Sequence, residues 1–175
     1  WAHPTVLERR KQEAARFRDF EQQGDLVLVE QIGEDVEEVA EIVSMVYEAG
    51  LLDKIGVDPH GLGGILEAIE QHDIPQDKIV GISQGWKLNG AIKTAERKLA
   101  GGELIHSGQS MMNWCVGNAK TVQVGNAVTI TKQQSGSAKI DPLMATFNAV
   151  SLLSLNPESM LGLDDFYFSP IVAKL

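Results

Sequence analysis

Two aspartates stand where a chain of this pattern can do chemistry. Asp58 closes the hydrophobic run Lys54-Ile55-Gly56-Val57 and is followed by Pro59, while Asp141, also followed by proline, opens the apolar run Leu143 to Leu153. A carboxylate abutting a buried strand must be hydrated, paired or bound to a cation, because uncompensated burial costs roughly several kcal/mol. Carboxylate oxygens at such positions suit a hard divalent ion, Mg²⁺ or Mn²⁺. Paired ions of that kind activate a water and neutralise the leaving oxygen of a phosphodiester. The other reading is structural: Asp58 and Asp141 each precede a helix and can cap it.

Lys132 and Lys139 bracket a Ser/Gly loop, Ser135-Gly136-Ser137, immediately before Asp141. Lysines flanking a flexible loop can meet a phosphate backbone as point charges, or simply be solvated. Gln84, Lys87 and Asn89, just past another hydrophobic run, are further candidates for substrate contact. Among the histidines, His60 lies two residues from Asp58 and is placed to touch a metal-bound water, whereas His3, His72 and His106 read as turn, helix-end and structural residues. There is no HExxH, and Val57-Asp58-Pro59-His60-Gly61-Leu62-Gly63-Gly64 lacks the GK[ST] of a phosphate-cradling loop, which argues against ATP hydrolysis and a nucleotide-binding enzyme.

The elements that must position these residues follow from periodicity. Leu7 to Phe17 is rich in helix formers, and Gly24 ends that helix; Leu26-Val27-Leu28-Val29 reads as a strand. Asp35 is the expected N-cap of a helix over Val36–Ala49. Then come a strand ending at Asp58, a helix over about Gly61–His72, a strand Lys78–Ile82, and a helix over Leu88–Ala100. Strand–helix–strand–helix order implies parallel strands with crossover helices, an α/β core, and such sheets bind ligands beyond the carboxyl ends of their strands. Both Asp58 and Gln84 fall there. A helix over Gln109–Val116 follows, then a β-hairpin around Gly125-Asn126. The last helix should have Asp141 as N-cap and Pro142 at its first position. One domain over residues 1–155 and a tail over 156–175 are expected.

Composition bounds the rest. An apolar content of 43% can bury a core. No apolar run approaches the ~18 residues of a membrane span, so a protein inside the cell with no membrane partner is expected. The lone Cys115 belongs in the core. The formal charge of −9 is unevenly spread: residues 1–77 carry 6 Lys/Arg against 18 Asp/Glu, and residues 78–139 carry 8 against 2. A basic middle suited to phosphates thus adjoins the acidic portions that hold the candidate ligands.

Three segments, taken in order and spacing, resemble the nuclease half of phage large terminase subunits: Ile55-Gly56-Val57-Asp58-Pro59; His106 with Met112-Asn113-Trp114-Cys115-Val116-Gly117-Asn118; and Lys132 with Lys139-Ile140-Asp141-Pro142-Leu143-Met144-Ala145. His3-Pro4 through Gly24-Asp25-Leu26 is similar too, so the resemblance extends to about Leu155. It implies a ribonuclease H-like fold and a two-metal endonuclease that cuts concatemeric viral DNA, with Asp58 as the second acid of its cluster and Asp141 as the last. It also implies double-stranded DNA as substrate, a small terminase subunit and a portal as partners of the parent protein, and the bacterial host's cytoplasm as location. The family's first catalytic aspartate lies upstream of the His-Pro segment, so the resemblance implies a fold truncated at its N-terminal strands and lacking the ATPase motor. The competing expectation is a non-catalytic module docking on DNA or a packaging partner.

Overall fold

Short β-rich runs separated by helical periodicity produce two small sheets framed by seven helices in the computed structural model, which describes residues 1–132 and 139–157. The Ser/Gly loop at 133–138 and the tail from 158 onward lie outside the described residues. The N-terminal charged stretch forms two helices rather than one, α1 (Thr5–Arg9) and α2 (Ala14–Gln22), broken where Arg10 pairs with Glu13 at 3.2 Å. The expected strand at 26–29 amounts to one bridge, Leu28 beside Ala2. Phe17, Phe20 and Leu26 bury this unit against Trp114, whose ring meets Phe17 edge-on at 5.8 Å.

Helix α3 (Glu34–Glu48) is not capped by Asp35 as expected. Its N-cap is Gly33 at φ 97°, a conformation that costs a residue without Cβ little, and the Glu34 carboxylate accepts from the backbone N–H of Glu30 and Gln31 at 2.9 and 3.0 Å. Strand β1 (Ile55–Val57) then pairs in parallel with β2 (Ile79–Gly81), Ile55 opposite Ile79, through the crossover helix α4 (Gly63–Gln71). The period of two sorts their side chains. Ile55 and Ile79 pack with Ala40 of α3 and Ala68 and Ile69 of α4, while Gly56 turns to the opposite face.

A 3-10 turn, Gly85–Leu88, leads from β2 into α5 (Asn89–Ala100). Helix α6 (Ser110–Gly117) runs directly into the hairpin of β3 (Ala119–Val124) and β4 (Ala127–Lys132), which turns at Gly125 with φ 60°, the left-handed value that type II′ hairpins require at their first central residue. Helix α7 (Asp141–Leu153) covers the Gly56 face of the parallel pair and packs Phe147 and Val150 against Leu88, Ala91, Ile92 and Ala95. The α/β order, the parallel pair with its crossover helix and the hairpin thus stand as expected. Among the described residues no helix is long and apolar enough to cross a membrane.

Candidate functional site

The glycine in Ile55-Gly56-Val57 explains how α7 reaches the sheet. A Cβ at residue 56 would lie 3.2 Å from the Asn148 carbonyl oxygen and 3.1 Å from both Leu152 Cδ1 and Ile82 Cγ1, so glycine lets the helix backbone seat there without displacing its neighbours. Gln84, beyond the carboxyl end of β2, donates from Nε2 to Asn148 Oδ1 at 3.0 Å and to the Ile82 carbonyl at 2.8 Å. Gly56 of β1 and Gln84 beyond β2 thus both meet Asn148, and Leu143 and Met144 pack on the cluster of Leu88, Ala91, Ile92, Ala95, Phe147 and Val150. Helix α7 lies against the parallel pair.

Neither aspartate is a helix cap. Helix α4 begins at Gly63 after Leu62, with no side-chain cap, and Asp58 is not involved. Its Oδ1 instead accepts the backbone N–H of His60 at 3.1 Å and stands 3.0 Å from His60 Nδ1. The imidazole hydrogen bond first, and the backbone N–H second, hold the Asp58 carboxyl below the usual carboxylate range. Asp141, expected as an N-cap, is itself the first residue of α7; the cap position falls to Ile140, whose side chain is buried and makes no cap bond. The Asp141 side chain faces water, 69% exposed, with Lys139 Nζ at 4.0 Å from Oδ2; that of Asp58 is 51% exposed. Both acids are open to a ligand from solvent.

What holds Asp141 in place is a tether from α6. Asn118 Nδ2 donates to the Lys139 carbonyl at 3.0 Å, Ile140 is buried beside it, and Cys115, 1% exposed, lies close enough to Asp141 to feel its charge. Burial first, then that charge, pushes the Cys115 thiol up to about 11. Cys115 is thus the core residue expected. Lys132 ends β4 opposite Ala119, the residue after Asn118, so Lys132 and Lys139 flank the same α6–β3 junction, and both are exposed. Gln84 is different in kind: its amide nitrogen is engaged within the protein. Asn89 likewise accepts the backbone N–H of Val128 through Oδ1 at 2.9 Å.

Asp58 and Asp141 share no hydrogen-bond partner among the described residues. Nor, among the described residues, do three His, Cys, Asp or Glu side chains gather in a group able to hold a metal ion. The donors present are oxygens, open to water, which suits a hydrated Mg²⁺ or Mn²⁺ held by one or two carboxylates and keeping most of its waters. A residue missed from sequence is Asn148, 6% exposed, the single amide in the helix that spans the sheet. Its polarity within Phe147-Asn148-Ala149-Val150 was the available signal.

No family model matches the chain. The fold, though, has a counterpart. The same fold occurs in a phage large terminase. The crystal structure of the HK97 bacteriophage large terminase superposes with a TM-score of 0.66 and 20% sequence identity, covering 86% of this chain and 32% of that one. A curated protein of Escherichia coli (strain K12), Protein YmfN, is 23% identical over 139 residues, which is 78% of this chain and 30% of that protein. The chain thus spans about a third of the length of either relative.

Proposed function

We propose that this chain is part of the nuclease region of a phage large terminase, of ribonuclease H-like fold, and that Asp58 and Asp141 hold the divalent ion used to hydrolyse DNA phosphodiesters. The observation that carries the proposal is that neither aspartate caps a helix, so both carboxylates are open to solvent and available to a ligand. The likeness to the HK97 large terminase supports a packaging context. When bound, Mg²⁺ or Mn²⁺ supplies an activated water and charge neutralisation at the phosphate. The chain's own residues do the placing. His60 orients Asp58, and the Asn118 tether with buried Ile140 fixes Asp141. Lys132 and Lys139 steady a phosphate backbone that approaches the α6–β3 junction, and Gln84 secures the sheet end beneath it. Double-stranded DNA is the substrate on this reading, with a small terminase subunit and a portal as partners of the whole protein in the bacterial host's cytoplasm.

The second reading, a non-catalytic module docking on DNA or a packaging partner, draws on the lack of a three-residue metal cluster among the described residues. Thermal denaturation with Mn²⁺ separates the two. With a Kd of about 1 mM, 10 mM ion stabilises by roughly 1.4 kcal/mol, a Tm rise of about 3–6 °C for a chain of this size. Asp58→Asn and Asp141→Asn should each remove most of that rise while melting near wild type without metal. Equal Mn²⁺ shifts in wild type and both variants, or none in any, would leave the module reading in possession.

A further inference from the structure

Just past the strand end that carries the candidate site, the 3-10 turn presents an indole to water. Trp86 is 59% exposed, with Lys87 Nζ 5.9 Å from the ring centroid. An exposed tryptophan is a large apolar surface left unburied, and here it does not stand alone. The turn runs directly into α5, where Lys93 lies seven residues on and Arg97 one α-helical turn further; both are exposed. Gly90 lies between them in sequence, and a Cβ there would meet nothing within 4 Å, so the ridge has no obstruction at that point. Three steps at the 3-10 rise of ~2.0 Å and eight at the α-helical ~1.5 Å carry this ridge over roughly 18 Å at most.

We propose that the ridge Trp86–Lys93–Arg97 is a track for a single, unpaired DNA strand leading to the Asp58 end of the sheet, with the Trp86 ring stacking on a base and the two cations meeting phosphates. It rests on the nuclease reading only in taking DNA as the ligand. The chemistry selects the strand form. Lysine and arginine meet the phosphates of any DNA, but an indole stacks on a base face only where pairing and stacking have opened it. The segment is basic as a whole, residues 78–139 holding 8 Lys/Arg against 2 Asp/Glu; the two acids are Glu96, beside Arg97, and Glu103, which pairs with Lys98 at 2.9 Å.

Fluorescence anisotropy with labelled oligonucleotides, single-stranded and duplex, in EDTA at low salt tests this on the whole chain. Wild type should prefer the single strand. Trp86→Ala should weaken that binding about 5- to 100-fold, the range of one base–aromatic stack, with duplex binding far less affected. Trp86→Phe should restore most of the loss. Lys93→Ala with Arg97→Ala should reduce the slope of log K against log salt by about 1.4, two phosphates at ~0.7 each. No DNA binding by wild type, equal losses in Trp86→Ala and Trp86→Phe, or Trp86→Ala binding like wild type each overturns the inference; the last returns the ridge to a protein partner or to solvent. Metal plays no part in the assay. The tryptophan pattern without Mn²⁺ stabilisation would therefore keep the track and lose the metal site, and the reverse result would lose the track alone.

Discussion

Replacing Gly56 with alanine puts a methyl group where three elements meet. Two of its contacts, Leu152 Cδ1 and Ile82 Cγ1 at 3.1 Å, are the ends of side chains that can yield by a few tenths of an ångström. The third, the Asn148 carbonyl oxygen at 3.2 Å, belongs to the backbone of α7 and moves only if the helix moves. Overpacking of this kind costs about 1–3 kcal/mol, partly offset by the ~0.4–1 kcal/mol that alanine gains by restricting the unfolded chain. The expected net loss is about 1–2 kcal/mol, a fall in Tm of roughly 2–8 °C. Two glycines calibrate it. Gly81→Ala, in the paired strand, meets only Pro59 Cβ at 3.7 Å and should be close to neutral; Gly64→Ala, in the first turn of α4 with open space around it, should gain about 0.5–1 kcal/mol. Urea and thermal denaturation of the three variants measure the order Gly64→Ala, Gly81→Ala, Gly56→Ala from most to least stable. Because α7 carries Asp141, Gly56→Ala should also blunt any Mn²⁺ stabilisation. If Gly56→Ala proves as stable as Gly81→Ala, α7 does not seat on β1 as described.

The Gln84–Asn148 hydrogen bond, part-buried at 3.0 Å, should show a coupling of about 0.5–1.5 kcal/mol in a double-mutant cycle of Gln84→Ala and Asn148→Ala; a coupling under ~0.3 kcal/mol would mean that it does not tie the sheet end to α7. Cys115 supplies a pH prediction. Its folded-state pKa, about 11, lies above the unfolded value near ~8.5, so the folded chain keeps the thiol proton longer. The resulting stabilisation is complete below about pH 8.5 and is lost as pH rises toward 11, a decline of about 2–3 kcal/mol that Cys115→Ala should lack in urea titrations at pH 8 and 10.5. Rapid alkylation of Cys115 by iodoacetamide at pH 8 in the folded protein would contradict this.

Local signals carried much of the architecture. The alternation of valine-rich runs with helical periodicity is a property of neighbouring residues, and it named the parallel pair, the crossover helix, the hairpin at Gly125-Asn126 and the burial of Cys115. Where local rules compete, sequence misled: Asp35 is as good a cap as any, yet Gly33 takes the position because its backbone can turn left-handed at φ 97°, and the charged N-terminal stretch breaks at Arg10–Glu13 to wrap Phe17 and Phe20 onto Trp114.

The candidate site divides the same way. Residue type and position alone singled out Asp58, Asp141, Lys132 and Lys139, because a charge at the edge of an apolar run stands out in one dimension. Whether those aspartates cap helices depends on where each helix begins, and that was decided by packing: buried Ile140 and the Asn118 tether draw the start of α7 to Asp141 itself. Only the tertiary structure turned Gly56 from a β-strand weakness into the seat of α7, and only it brought Asn148 to Gln84 across 64 positions of chain. Such contacts have no sequence period, since they arise from surfaces that meet after the elements have formed.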